Sequence, residues 1–428
     1  MRPVDGIVRP RSGGVCIVAL SVLCLCNTAL AQESSADDVR MQIESLRMEQ
    51  ERISQMQSEL AARIQSLEAN LSAGAALAVS AAPASIAASA PPPSRLSVSG
   101  DFRLRGQGDY SDGATPDRNS AQVRGRIGAT FAVTNRVSVG ARIVTGDADD
   151  PNSTDVQLSN FDDDLDAALD LAYVQLNFDH LKLSGGKVPQ PFTRTDLVWD
   201  GDVNPQGISA SYKRPLGSAS FRANGLYFLI DEQVAGPESA MRGLQFGLDS
   251  PALGHWKHEI SAAYFDYRLG SIAGGDTGDF RSNPRNPDGS YVSDFDLVDV
   301  VASTSWSGLG DRWPVRVVAD YVKNTAAATD EDVGYGVEVT VGRFSSPGDW
   351  RVTYGHAVAE TDSVFAAFSH DNLGIATNYK LDALTLDYLP FDKTTLSAIW
   401  YHYAPYSVAA GVSDESRDRL RLFMQVNF

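Results

Sequence analysis

The last thirteen residues, Ser416-Arg417-Asp418-Arg419-Leu420-Arg421-Leu422-Phe423-Met424-Gln425-Val426-Asn427-Phe428, decide how the chain is read. On a two-residue period Leu420, Leu422, Met424, Val426 and Phe428 share one face. Arg417, Arg419, Arg421, Gln425 and Asn427 share the other, with Phe423 the one intruder. Such alternation is a strand with one apolar and one charged side. A sheet lying on a soluble core would give the same pattern. Two features separate the readings: the segment ends the chain on an aromatic residue, and the arrangement recurs upstream. Strands apolar outward and polar inward, repeated until the sheet closes, make a transmembrane antiparallel β-barrel.

Working back from that strand, the punctuation from Arg95 onward is regular. Short turns fall near Thr134–Arg136, Asp179–His180, Arg214–Ser218, Asp249–His255, Ser307–Asp311, Ser345–Asp349 and Pro390–Lys393. Long polar loops fall near Gly108–Asn119, Gly146–Asp166, Pro189–Pro205, Asp231–Ala240, Gly270–Val292, Asn324–Glu331, Glu360–Asp371 and Pro405–Glu415. Together they predict sixteen strands with both ends of the barrel on the short-turn side, the asymmetry of outer-membrane barrels. The first strand sets Leu96, Val98, Phe102 and Leu104 against Asp101, Arg103 and Arg105. The second sets Val123, Ile127, Phe131 and Val133 against Gln122, Arg124, Arg126 and Thr130. Near Tyr264 and Asp296 the alternation breaks down, which leaves fourteen or eighteen strands open. Aromatic residues bracket the short turns (Trp306 and Trp313, Phe344 and Trp350, Tyr388 and Phe391), as in an interface girdle.

The residues ahead of the barrel read differently. Residues 1–31 have a basic start, a short apolar run from Val15 to Leu25 and the small-residue site Ala29-Leu30-Ala31, the pattern of an export signal. All three cysteines lie inside it, so the exported chain carries no disulfide and no thiolate site. Residues 32–72 read as a short α-helical coiled coil. With Ile43 at position a, the d positions are Val39, Leu46, Ile53, Leu60 and Leu67, while a holds Gln50 and Gln57 among apolar residues. A homotrimer is expected, with a dimer left open. Residues 73–94 are an Ala/Ser/Pro linker, and 95–428 are the barrel. The net charge of −18 excludes a nucleic-acid partner.

With these residues in hand, the chain resembles the bacterial "Putative porin" family over roughly Arg95–Lys213. The likeness is carried by Asp101-Phe102-Arg103-Leu104-Arg105, Arg124-Gly125-Arg126, Arg142 through Thr145-Gly146, and Asp170-Leu171-Ala172-Tyr173-Val174. It continues with Gly186-Lys187, Pro191-Phe192, Trp199-Asp200 and Asn204-Pro205. Phe428 resembles the end signature that the barrel-assembly machinery of Gram-negative bacteria reads. The resemblance implies an outer-membrane channel with its coiled coil in the periplasm, among outer-membrane lipid and lipopolysaccharide. It fixes no solute.

Closing the barrel makes the last strand a neighbour of the first. Arg103, Arg105, Arg124, Arg126, Arg136, Arg142, Arg417, Arg419 and Arg421 then fall on one side of the lumen. Two readings stand: a basic wall that selects anionic solutes, or arginines paired with lumen carboxylates such as Asp101. The third long loop carries Arg194, Asp196, Asp200 and Asp202 and is expected to fold inward as a constriction. The acids of Gly146–Asp166 lack the spacing of a calcium loop and read as solvated charge. No metal or cofactor is expected. The six histidines are scattered and no nucleophile elbow or His-Glu-x-x-His motif occurs, so the chain reads as no enzyme. The expectation is a porin passing small hydrophilic solutes. The rival is an envelope tether, its coiled coil reaching the peptidoglycan and its barrel serving as an anchor.

Overall fold

The computed structural model describes residues 95–146, 153–159, 164–234, 236–270, 282–408 and 414–428. The export signal, coiled coil and linker lie outside the described residues, as do Asp147, Asp149, Asp150, Asp162 and Asp163. The strands are β1 (Leu96–Ser111), β2 (Arg118–Ala132), β3 (Val137–Thr145), β4 (Val156–Gln157), β5 (Ala167–Asn177), β6 (Leu181–Lys187), β7 (Gln206–Leu216), β8 (Ala219–Asp231) and β9 (Ser239–Asp249). They continue as β10 (Trp256–Leu269), β11 (Asp296–Trp306), β12 (Val315–Asn324), β13 (Val333–Val341), β14 (Trp350–Ala359), β15 (Tyr379–Phe391), β16 (Thr394–Pro405) and β17 (Arg417–Asn427). β4 is a two-residue ribbon paired to β2. The other sixteen form one closed antiparallel wall, β1 pairing with both β2 and β17. All seven short turns and eight long connections fall where the sequence places them.

Closure is made at the chain end that opened the sequence reading. The Phe428 amide donates to the Gly100 carbonyl at 3.0 Å, and the Gly100 amide returns a bond to Phe428 at 3.2 Å. A Cβ at Gly100 would stand 2.5 Å from the Phe428 ring and 2.2 Å from the Arg126 carbonyl, so only glycine fits there. The short turns are built from side chains that satisfy the backbone. In the β13–β14 turn Asp349 accepts both Arg343 nitrogens at 2.9 Å, and the Ser345 and Ser346 amides besides.

The outer face is apolar: Leu420, Leu422, Met424, Val426 and Phe428 are all exposed, as are Leu104, Ile127, Ile208, Leu244 and Ile260. Exposed apolar residues on every second position need lipid to cover them. Trp350 stacks on Tyr388 at 4.3 Å and Trp256 on Trp306 at 5.7 Å beside the short turns. Phe344 departs from this girdle, its ring lying 4.5 Å beneath the Arg351 guanidinium. Towards the long-loop ends one outward row is polar. His356, Asp382, His402 and Asp418 are consecutive ladder partners across β14 to β17, and each histidine meets its aspartate at 3.0 Å.

Where alternation fails, in β8 to β12, the inward residues are themselves apolar. Leu226, Phe228, Met241, Phe265, Tyr267, Leu297 and Val322 are buried inside the barrel. They form one cluster with residues of two long loops, 188–205 and 360–378. The ambiguity in the sequence near Tyr264 and Asp296 is therefore the imprint of loops seated in the lumen.

Candidate functional site

Arg103, Arg105, Arg124, Arg126 and Arg142 lie on the inner face of β1 to β3, beside Arg417, Arg419 and Arg421 of β17. Arg136 does not join them; it sits exposed in the β2–β3 turn. The inner face here is a network of guanidinium and carboxylate. Asp101 receives Arg124 at 2.8 Å and Arg126 at 2.7 Å. Arg126 also reaches Asp202 of the third long loop at 3.0 Å. Arg103 and Arg105 share Asp155, and Arg142 holds Asp170 in a two-nitrogen contact. Arg419 takes Asp109. Arg421 donates to the amide oxygens of Gln107 and Asn372, and Arg417 to the Thr115 hydroxyl at 3.3 Å. Eight arginines thus meet five carboxylates; of the three in excess, Arg417 and Arg421 lie on β17 and the third is on β1, where Arg103 and Arg105 share Asp155.

Loop 188–205 is held at its neck by the backbone and along its length by three inward side chains, Gln245, Arg222 and Asp320. Its neck is closed by the Val188 amide on the Pro205 carbonyl at 2.8 Å. Gln245, 1% exposed, acts as a strand edge: its carbonyl oxygen accepts the Thr193 amide at 2.8 Å while its amide donates to the Thr193 carbonyl at 2.7 Å. Arg222 donates to the Thr193 hydroxyl at 2.5 Å, and the Thr195 hydroxyl donates to Asp320. Phe192 sits in the space left by Gly243, where a Cβ would come within 2.6 Å of its ring.

Of the four residues expected at a constriction, Asp202 meets Arg126, while Arg194 donates to the Trp199 carbonyl at 2.9 Å and lies 3.5 Å from Asp196. Asp200 turns inward against the second loop. Its amide donates to the Phe368 carbonyl at 2.7 Å, and burial together with the neighbouring Asp371 carboxylate pushes its carboxyl up to about 9. Trp199, fully buried, packs among Phe228, Phe265, Tyr267 and Phe368.

Sequence reading missed the second loop. Asn283 and Asn324 hold it from inside, donating to the Thr361, Val364 and Asp362 carbonyls at 2.8–3.1 Å. The available signal was Val364-Phe365-Ala366-Ala367-Phe368, an apolar run that a solvated external loop has no use for. Also missed were the inward charges on the facing sector, Arg222, Glu259, Arg316, Asp320 and Glu338. These border a cavity of about 480 Å³ beneath the Thr193–Leu197 stretch.

Residues 111–276 match the family model described as "Putative porin". This is the family resembled in the sequence, though the match starts beyond Asp101–Arg105 and runs on through β10. No curated protein matches the chain significantly. Among solved structures, Pseudomonas putida OprB at high pH aligns over 78% of this chain and 94% of its own, at 11% identity and a TM-score of 0.54, and it shares the barrel fold. Salmonella typhi OmpF in complex with daunomycin aligns over 78% and 97% at 11% identity and a TM-score of 0.47. Vibrio cholerae OmpT in its trimer form aligns over 78% and 99% at 11% identity and a TM-score of 0.46. The family match and the closed wall together support a pore-forming barrel of the outer membrane.

Proposed function

We propose that this chain is a homotrimeric outer-membrane porin that lets small hydrophilic solutes diffuse through its lumen, with anionic solutes favoured along the arginine side. The observation that carries this reading is a closed sheet, apolar without and charged within, whose third long loop lies inside the wall. Sixteen strands leave a lumen that side chains alone do not fill. The three arginines in excess over carboxylates lie on or beside β17, where an anion would find guanidinium donors. Short turns are assigned to the periplasm, with residues 32–72 as a coiled coil near the peptidoglycan and Phe428 as the contact for the assembly machinery.

Liposome swelling with sugars, phosphate and amino acids tests the reading. Faster swelling with small solutes than with large ones is expected, and phosphate should lose its advantage when Arg417 and Arg421 are replaced by Gln. A folded barrel that admits no solute would rule it out.

One observation favours a second reading, in which the barrel is a plugged anchor for an envelope tether: the two loops fill part of the lumen with aromatic rings. A variant lacking residues 32–94 separates the two. Retained conductance with disturbed envelope spacing favours the tether, and undisturbed spacing favours the channel.

A further inference from the structure

The wall facing the arginine side carries carboxyl groups in the opposite situation. Asp299 of β11 and Asp320 of β12 project inward, are 2% and 5% exposed, and touch one another. Each keeps one oxygen, Oδ1, with no hydrogen-bond partner. Glu338 of β13 is two residues from Gly336, the ladder partner of Asp320, and is exposed to the lumen. Among the described residues none of these three lies within ion-pair distance of a lysine or arginine.

The arginines bordering the same cavity are already matched. Arg194 faces Asp196 at 3.5 Å, Arg222 holds Asp249 at 2.8 Å, and Arg316 lies 3.8 Å from Glu259. The cavity is therefore short of positive charge. A second feature is independent of the acids. Tyr379 of β15 borders the cavity, is 0% exposed, and its hydroxyl is also without a partner. A phenol oxygen with a free lone pair beside unmatched carboxyls suits a group that donates several hydrogen bonds and carries positive charge, which is an ammonium. The described residues hold no group of three or more His, Cys, Asp or Glu placed for a metal ion, so a metal cation is the poorer fit.

We infer that Asp320, Glu338 and Tyr379, which line this cavity, form a subsite for the ammonium group of amine-bearing solutes beneath the inserted loop, with Asp299 buried against Asp320. This rests on the lumen being a conducting path. An amine entering the cavity gains charge-assisted hydrogen bonds to carboxyls that otherwise meet hydroxyl groups, Thr195 on Asp320 and Thr340 on Glu338. A solute with both an ammonium and an acidic group would then meet complementary charge on both sides of the lumen.

The test uses the purified mature chain in planar bilayers, with 1,4-diaminobutane as the probe and 1,4-butanediol as its uncharged match. Diamine should interrupt the KCl current at concentrations where the diol does not. Glu338→Gln and Asp320→Asn should each raise the half-blocking concentration about tenfold, and Glu338→Gln should leave KCl conductance in place. Glu338 is open to the lumen, so its variant keeps the test sound should the Asp320 variant fold poorly. Equal block by diol and diamine, or unchanged block in a conducting Glu338→Gln barrel, overturns the subsite and leaves the pore standing. A wild-type barrel that carries no KCl current overturns both.

Discussion

Trp199 and Phe368 lie with ring centroids 5.6 Å apart and planes 9° from parallel. They come from different long loops, and their contact holds both loops inside the barrel. Nothing in the wall depends on it, because the hydrogen-bonded ladder closes without either residue.

Trp199→Ala should therefore change the channel more than the barrel. Truncating a buried tryptophan costs about 3–5 kcal/mol, and here the cost falls on loop docking. Expected are larger and noisier single-channel currents and faster protease cleavage within residues 188–205. The temperature at which the folded band converts to the unfolded one in SDS gels should stay within a few degrees. A matching fall in that temperature would place Trp199 in the barrel's own stability.

Loop docking should also depend on pH through Asp200. Its carboxyl is raised from an ordinary 3.8 to about 9 by burial and by Asp371. The docked state then binds a proton that the released loop gives up, so docking weakens as pH rises from about 4 and levels off above about 9. Current noise and loop cleavage should rise across this window, and Asp200→Asn should hold the loop docked throughout. A wild-type channel indifferent to pH between 5 and 9 (values within that window) would contradict the assignment.

Asp101 is the carboxylate that Arg124 and Arg126 share; beyond it Arg124 reaches the Gln425 amide oxygen and Arg126 reaches Asp202, both at 3.0 Å. Replacing it with Ala leaves Arg124 with no carboxylate and Arg126 with Asp202 alone, at a cost of about 2 kcal/mol. The gel-shift temperature should fall, and reversal potentials in a KCl gradient should move towards anions. Selectivity unchanged in Asp101→Ala would mean that these arginines stand outside the ion path.

At the closure, Gly100→Ala should hinder assembly more than any substitution of similar size elsewhere on β1. The added methyl meets both a backbone carbonyl and the Phe428 ring. Removing Phe428 takes away two closing hydrogen bonds, and the folded yield should fall in both variants. Normal yield in both would show that this corner is not needed to close the sheet.

The outer wall was legible in the sequence because lipid constrains every second residue from Leu96 to Phe428, whatever the neighbours do. Turn lengths then gave the strand count. The interior was legible only in part, since it is specified by pairs far apart along the chain. Arg103 meets Asp155 across 52 residues, and Arg126 meets Asp202 across 76. An arginine on an inward position looks the same in sequence whether its partner is solute or aspartate. Likewise Phe265 and Tyr267 look like a failed strand until Trp199 and Phe368 arrive to cover them.

The most direct measurement is the current through single molecules of the purified mature chain in a planar bilayer, with gel mobility confirming that the barrel is folded. Discrete, repeatable conductance steps are expected, with larger and noisier steps in Trp199→Ala. Folded, inserted protein that leaves the bilayer insulating, in both the wild type and the Trp199→Ala variant, would contradict the pore.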